Sequence, residues 1–161
     1  MADPSPFAAL SLIVAPAILT NASSVLAMST SNRLARAVDR ARELARQLEE
    51  PPAGTTSTDA TRRLDELSAV EHRSLMLVAA LRSFYLGLGA FATATLASLL
   101  GAVLVRLSGP VVLALELIAV VAGMLAVGAL VHGAQLLVRE TRIAIDVLQA
   151  RAAAIRARLG A

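Results

Sequence analysis

Residues 29–50 read STSNRLARAVDRARELARQLEE, a short polar stretch followed by a segment with five arginines and four acidic residues. It begins directly after Phe7–Met28, 22 mostly apolar residues. From Asn32 to Glu50 no residue breaks a helix until Pro51 and Pro52 end it. Leu34, Val38, Ala41, Ala45 and Leu48 recur at alternating spacings of four and three, a coiled-coil-like seam. Asp39 lies three residues from both Arg36 and Arg42, within reach on a helix surface. The stretch therefore reads as an apolar helix continued into a charged one.

The rest of the chain repeats that design. The 161 residues are 57% hydrophobic and only 17% charged, poorer in charge than a soluble domain of about a quarter charged residues. Two more apolar stretches, Ser83–Val105 and Val111–Val138, match the ~20 residues that cross a bilayer. Residues 106–110 between them end in Gly-Pro, a signal for a tight antiparallel connection. The expected fold is all-α: an integral membrane protein with three spans at 7–28, 83–105 and 111–138. Charged helices at 32–50, 61–82 and 139–159 extend the spans into a cytoplasmic bundle or stalk. A linker at 51–60 precedes the second of them, with Asp59 or Thr61 as its helix cap.

Charge sets the expected orientation. Nine arginines fall in residues 29–82, five follow Val138, one lies in the 106–110 turn, and there is no lysine. Positive charge collects on the cytoplasmic side, which places the N-terminus outside and the C-terminus inside. The residues before Phe7 include no arginine, opposite to a cleaved secretory signal, so the first span is read as retained. Without cysteine, disulfides and thiolate chemistry are excluded. No nucleophile elbow, phosphate-cradling glycine loop, paired carboxylates or metal-ligand spacing appears, so neither enzymatic activity nor a cofactor or metal is expected.

The basic residues raise the question of nucleic acid. Asp39, Glu43, Glu49 and Glu50 interrupt the arginines, and residues 29–82 contain no aromatic side chain to stack on bases. Nucleic acid is therefore not an expected partner. Arg33, Arg36, Arg40, Arg42, Arg139 and Arg142 instead form a juxtamembrane basic set, suited to anionic lipid at ~1 kcal/mol per arginine near the surface.

Inside the spans the polar residues carry two readings. Asn21, Ser24 and Ser31 can share a face of the first span with the kink residue Pro16, as a pore-lining helix or as a packed one. Glu116 and His132 are ionisable residues in or at the edge of the third span, either functional or structural. Gly89, Thr93, Ala97 and Gly101 recur every four residues, and with Gly123 they mark helix packing within a protomer or in a homo-oligomer.

Three stretches together resemble a known family: APAILTNASSVLAMSTSNRLARAVDRAREL (Ala15–Leu44), the basic helix entering the second span, and LLVRETRIAI (Leu136–Ile145). They are similar to a bacterial membrane family known as domain of unknown function 2721. The resemblance implies a small integral protein of the bacterial inner membrane and brings no activity or catalytic residue. It directs attention to Pro16, Asn32, Arg33, Asp39, Arg40, Arg42, Arg139 and Glu140. The expected function is a homo-oligomeric channel or small-solute pathway, the first span facing its axis. The alternative is a non-transporting scaffold that recruits a protein or anionic lipid through its charged helices.

Overall fold

The structure is a computed structural model describing residues 6–52, 54–104 and 109–159, most positions before Ile18 and after Ile145 by their backbone alone. It consists of three long α-helices: α1 (Pro6–Glu49), α2 (Ser57–Leu104) and α3 (Gly109–Leu159). Each joins an apolar stretch to a charged one without interruption, α1 and α3 starting at the apolar end and α2 at the charged end. Two of the three, α2 and α3 up to Ile145, are long and apolar enough to cross a membrane. Only 28% and 11% of their apolar windows are buried, whereas the core helix of a soluble protein would be mostly covered. The side chain of Pro16, and the 106–108 part of the expected turn with Arg106, lie outside the described residues.

The α1–α2 connection shows why the chain turns where it does. Pro51 and Pro52 carry no N–H and stop α1. The Thr55 N–H then donates to the Pro52 carbonyl at 3.1 Å, with Gly54 at φ +86°, a left-handed conformation that glycine adopts at no steric cost. The helix that follows begins at Ser57, four residues before the expected start. Its cap is neither Asp59 nor Thr61 but Thr56, whose hydroxyl oxygen accepts from the Asp59 N–H at 3.3 Å. The same hydroxyl donates to the Asp59 carboxylate at 2.8 Å, a reciprocal arrangement close to a capping box. Thr56→Ala should weaken the start of α2 by about 1 kcal/mol, read as faster amide exchange over its first turn.

These bonds to Thr56 hold the Asp59 carboxyl below its ordinary value, and hydrogen bonds from Arg46 and Gln47 do the same for Glu43. A depressed carboxylate stabilises the fold above the ordinary carboxylate range and loses that contribution as pH falls through the depressed value. Amide protection at the end of α1 and the start of α2 should therefore hold at neutral pH and decline in acid.

The chain forms two compact units. The first comprises residues 1–29 and 81–133 and contains the apolar segments. Within it α2 and α3 are antiparallel: Gly101 faces Leu115, Gly87 faces Ala126, and Phe84 faces Gly133. Phe84, Phe91, Ala94, Ala97, Ala122 and Ala126 are buried, as are Ser23 and Ala27 of α1. The buried positions advance by three and four residues, and their small side chains let the backbones approach.

The second unit comprises residues 30–80 and 134–161. Leu44, Val70, Leu77 and Ala80 are buried there. On α1 the residues of the expected seam, Leu34, Val38, Ala41, Ala45 and Leu48, are all half-buried, and the fully buried position is Leu44 beside them, 1% exposed. Arg63 donates to the Gln47 carbonyl at 3.2 Å, one of the last four carbonyls of α1 that lack a partner within the helix.

Candidate functional site

In the second unit the apolar seams are interrupted by charge. On α2, Glu66 and Arg73 occupy the same three-and-four rhythm as Val70, Leu77 and Ala80. Glu140 does so on α3, and it is 3% exposed although it is ionisable. A buried carboxylate must be paired, because leaving water is costly for a charge. Its partner is Arg73, whose Nε and Nη2 both donate to Oε1, at 2.9 and 2.7 Å. Arg33 of α1 approaches the other oxygen, with Nη1 3.6 Å from Oε2. One carboxylate therefore ties together segments of all three helices.

Around it lies a cavity of about 250 Å³ to which Arg33, Arg36, Arg40 and Arg73 contribute, with Thr141 and an apolar floor including Val70 and Leu77. The arginines are not equivalent. Arg40 donates twice to Glu66 Oε1, at 3.2 and 2.7 Å, and Arg73 is committed to Glu140. Arg33 has only its long contact, and Arg36 is exposed and makes no ion pair among the described residues. Four arginines against Glu140 and Glu66 leave an excess of two positive charges. The Thr141 hydroxyl donates to the Leu137 carbonyl at 2.9 Å, so the guanidiniums are the donors facing the cavity. Nothing here resembles a nucleophile with its base. The arrangement can bind and orient an anion.

The sequence-based candidates divide accordingly. Three of the six juxtamembrane arginines, Arg33, Arg36 and Arg40, meet at the cavity. Arg42 is exposed and lies 3.9 Å from Asp39 on its own helix, while Arg139 and Arg142 are exposed and do not line it. Asn21, Ser24 and Ser31 are exposed on the chain. The Ser24 hydroxyl already donates to the Thr20 carbonyl at 3.0 Å, so it needs no outside partner. Ser23 and Thr30, both 0% exposed, are the polar groups that α1 turns inward. Glu116 and His132 are exposed as well, and nothing described draws them into a site.

The small-residue row divides in two on the single chain. Ala97 and Gly101 are buried, but Gly89 and Thr93 are exposed, and no atom stands within 4 Å of where a Cβ would sit on Gly89 or Gly123. The close approaches are at Gly87 and Gly133. The glutamate and arginine at the centre, Glu140 and Arg73, were not among the predicted site residues. Glu140 entered only through the family resemblance. Nothing on either helix alone marks them, because a charged residue on an amphipathic helix is normally solvated.

With this geometry the chain is defined as an all-helical protein with two helices suited to a bilayer and an arginine-lined cleft organised by one buried glutamate. It belongs to the family described as Protein of unknown function (DUF2721), whose profile matches residues 13–150 and so covers the cleft. No curated protein and no solved structure matches it.

Proposed function

We propose that the chain is a three-pass protein of the bacterial inner membrane, its N-terminus outside and its C-terminus in the cytoplasm. It acts as a non-transporting scaffold whose charged helices recruit an anionic partner to the membrane surface. The observation that carries this reading is the arginine cleft around Glu140: a preorganised, positively charged site built from three helices, with no catalytic group beside it. Support for the third pass comes from α1, where Val14, Ile18, Val25, Leu26 and Met28 are exposed on the same helix that later carries the arginines. Large apolar surface of this kind requires lipid or protein to cover it. The arginine distribution supports the orientation.

The test is charge reversal within the full chain. Arg33→Glu combined with Arg36→Glu should change the set of proteins and lipids crosslinked to the protein in cells and disperse its localisation, while helicity by circular dichroism stays constant. An unchanged partner set and localisation, with helicity retained, would refute the scaffold reading.

A homo-oligomeric pathway is the second reading, and it rests on Asn21. This amide is exposed among apolar residues of α1, and in a bilayer it requires another copy or a wet axis. Reconstituted protein should then pass ions or small solutes, and Asn21→Leu should reduce the flux severalfold. Absence of flux at every voltage, pH and tension applied would eliminate this alternative.

A further inference from the structure

We infer that the cleft formed by Arg33, Arg36, Arg40 and Arg73 is a specific site for a phosphate monoester dianion. The inference deepens the scaffold reading by naming the chemistry that the charged helices recognise. Three observations lead there. The cleft retains two uncompensated positive charges, because Arg40 is held by Glu66 and Arg73 by Glu140. The two guanidiniums left over, Arg33 and Arg36, are three residues apart and share one face of α1, so both can reach one ligand. The donors are all guanidiniums, whose planar forks match phosphate oxygens in pairs.

Charge then selects among anions. A phosphate monoester carries about −1.5 to −2 at neutral pH and presents three strong acceptor oxygens. A phosphodiester or a carboxylate carries a single charge and leaves one arginine unanswered. Glu140 would repel any anion by itself, but its charge is neutralised by the double donation from Arg73, and it is nearly buried. Its contact with Arg33 is long, at 3.6 Å, so Arg33 can turn toward a ligand without stripping the carboxylate of its main partner. Along α1, Arg33 follows Met28 by five positions, about 7–8 Å of helix, which puts the cleft within reach of a headgroup if Met28 ends the span.

A phosphate monoester can come from the headgroup of a lipid such as phosphatidic acid or from phosphate in solution, and the experiment separates the two. The full chain in detergent is titrated with phosphatidic acid and with phosphatidylglycerol, and bound lipid is counted by native mass spectrometry. Inorganic phosphate is titrated in parallel by calorimetry. Phosphatidic acid should bind at least tenfold more tightly than phosphatidylglycerol. Arg33→Gln and Arg36→Gln should each weaken it about tenfold, whereas Arg82→Gln, the same charge loss at an exposed position outside the cleft, should change it less than twofold. Inorganic phosphate binding with the same dependence on Arg36 supports the site and assigns it to a soluble anion. Headgroup binding alone supports it and assigns it to lipid. Equal losses for Arg36→Gln and Arg82→Gln would reduce the effect to a diffuse field and overturn the proposal, as would failure of both ligands to bind. Arg36 is exposed and makes no ion pair among the described residues, so its substitution leaves the fold intact. A negative result here leaves recruitment of an acidic protein standing, since the crosslinking test above reads recruitment independently of phosphate.

Discussion

Glu140→Ala should destabilise the protein by about 2–4 kcal/mol, lowering Tm in detergent by roughly 5–12 °C. The carboxylate sits at 4% side-chain exposure and accepts two hydrogen bonds from Arg73, so its removal strands a guanidinium that is itself only 34% exposed. An unpaired charge in such a place keeps its desolvation penalty and loses the attraction that offset it. Arg73→Ala should be nearly as harmful, because Glu140 would then face only Arg33 at 3.6 Å. The informative variant is the double one. Arg73→Leu with Glu140→Leu replaces the pair with apolar side chains and removes both penalties, so it should be more stable than either single change. A double-mutant cycle on thermal unfolding reads the coupling directly. If Glu140→Ala unfolds at the wild-type temperature, the ion pair is not holding the three helix segments together.

That pair also shows which parts of the molecule could be read from sequence. The long helices were legible because Pro51–Pro52 and Gly109–Pro110 are the only strong breakers between Leu34 and Ile145, and hydropathy changes within helices rather than between them. The precise seams were not. In an alanine-rich segment such as residues 34–48, a spacing of four and three fits adjacent rows almost equally well, and alanine carries little information about which row is inside. The structure leaves Leu34, Val38, Ala41, Ala45 and Leu48 all half-buried and buries Leu44 beside them. Arg73 and Glu140 were missed for a different reason: a charged residue on an amphipathic helix is normally solvated, and only the partner on another helix reveals that it is not. Three of the basic residues that were singled out, Arg33, Arg36 and Arg40, did converge, since the arginines of α1 lie three and four apart on one side.

The small residues repeat the point within the apolar unit. A strict spacing of four advances about 40° around a helix at each step, so Gly89 and Gly101 are separated by about 120° of helix surface. A single row of that period cannot stay in one interface, and Gly89 and Thr93 are accordingly exposed while Ala97 and Gly101 are buried. The positions that follow the interface alternate by three and four, from Phe84 through Gly87, Phe91 and Ala94 to Gly101. Among these, Gly87 is a true close approach: a Cβ there would stand 3.2 Å from the Ala126 carbonyl oxygen, a backbone atom.

Gly133→Ala should have the largest effect of any single methyl addition to the glycines of the apolar unit. A Cβ on Gly133 would lie 2.6 Å from Cε1 of Phe84 and 3.0 Å from both Cδ1 and Cζ, so the ring or the helix must move. Phe84 is 0% exposed, so the ring cannot relieve the clash by moving into solvent without leaving its buried position. Overpacking of this kind costs about 1–3 kcal/mol, and Gly133→Val, with two more carbons, should abolish stable folding in detergent. Gly128→Ala supplies the control on the same helix, because nothing stands within 4 Å of its Cβ; it should leave Tm unchanged or raise it slightly through the better helix propensity of alanine. The clash has a specific partner, which makes it separable from a general intolerance of α3. Phe84→Leu removes the ring edge that the new methyl group meets. In that background Gly133→Ala should cost less than it does alone, a non-additivity of about 1 kcal/mol or more between residues in contact. Equal Tm values for Gly133→Ala, Gly128→Ala and wild type would mean that α2 and α3 do not pack through this pair, and the antiparallel register that joins Phe84 to Gly133 would have to be abandoned.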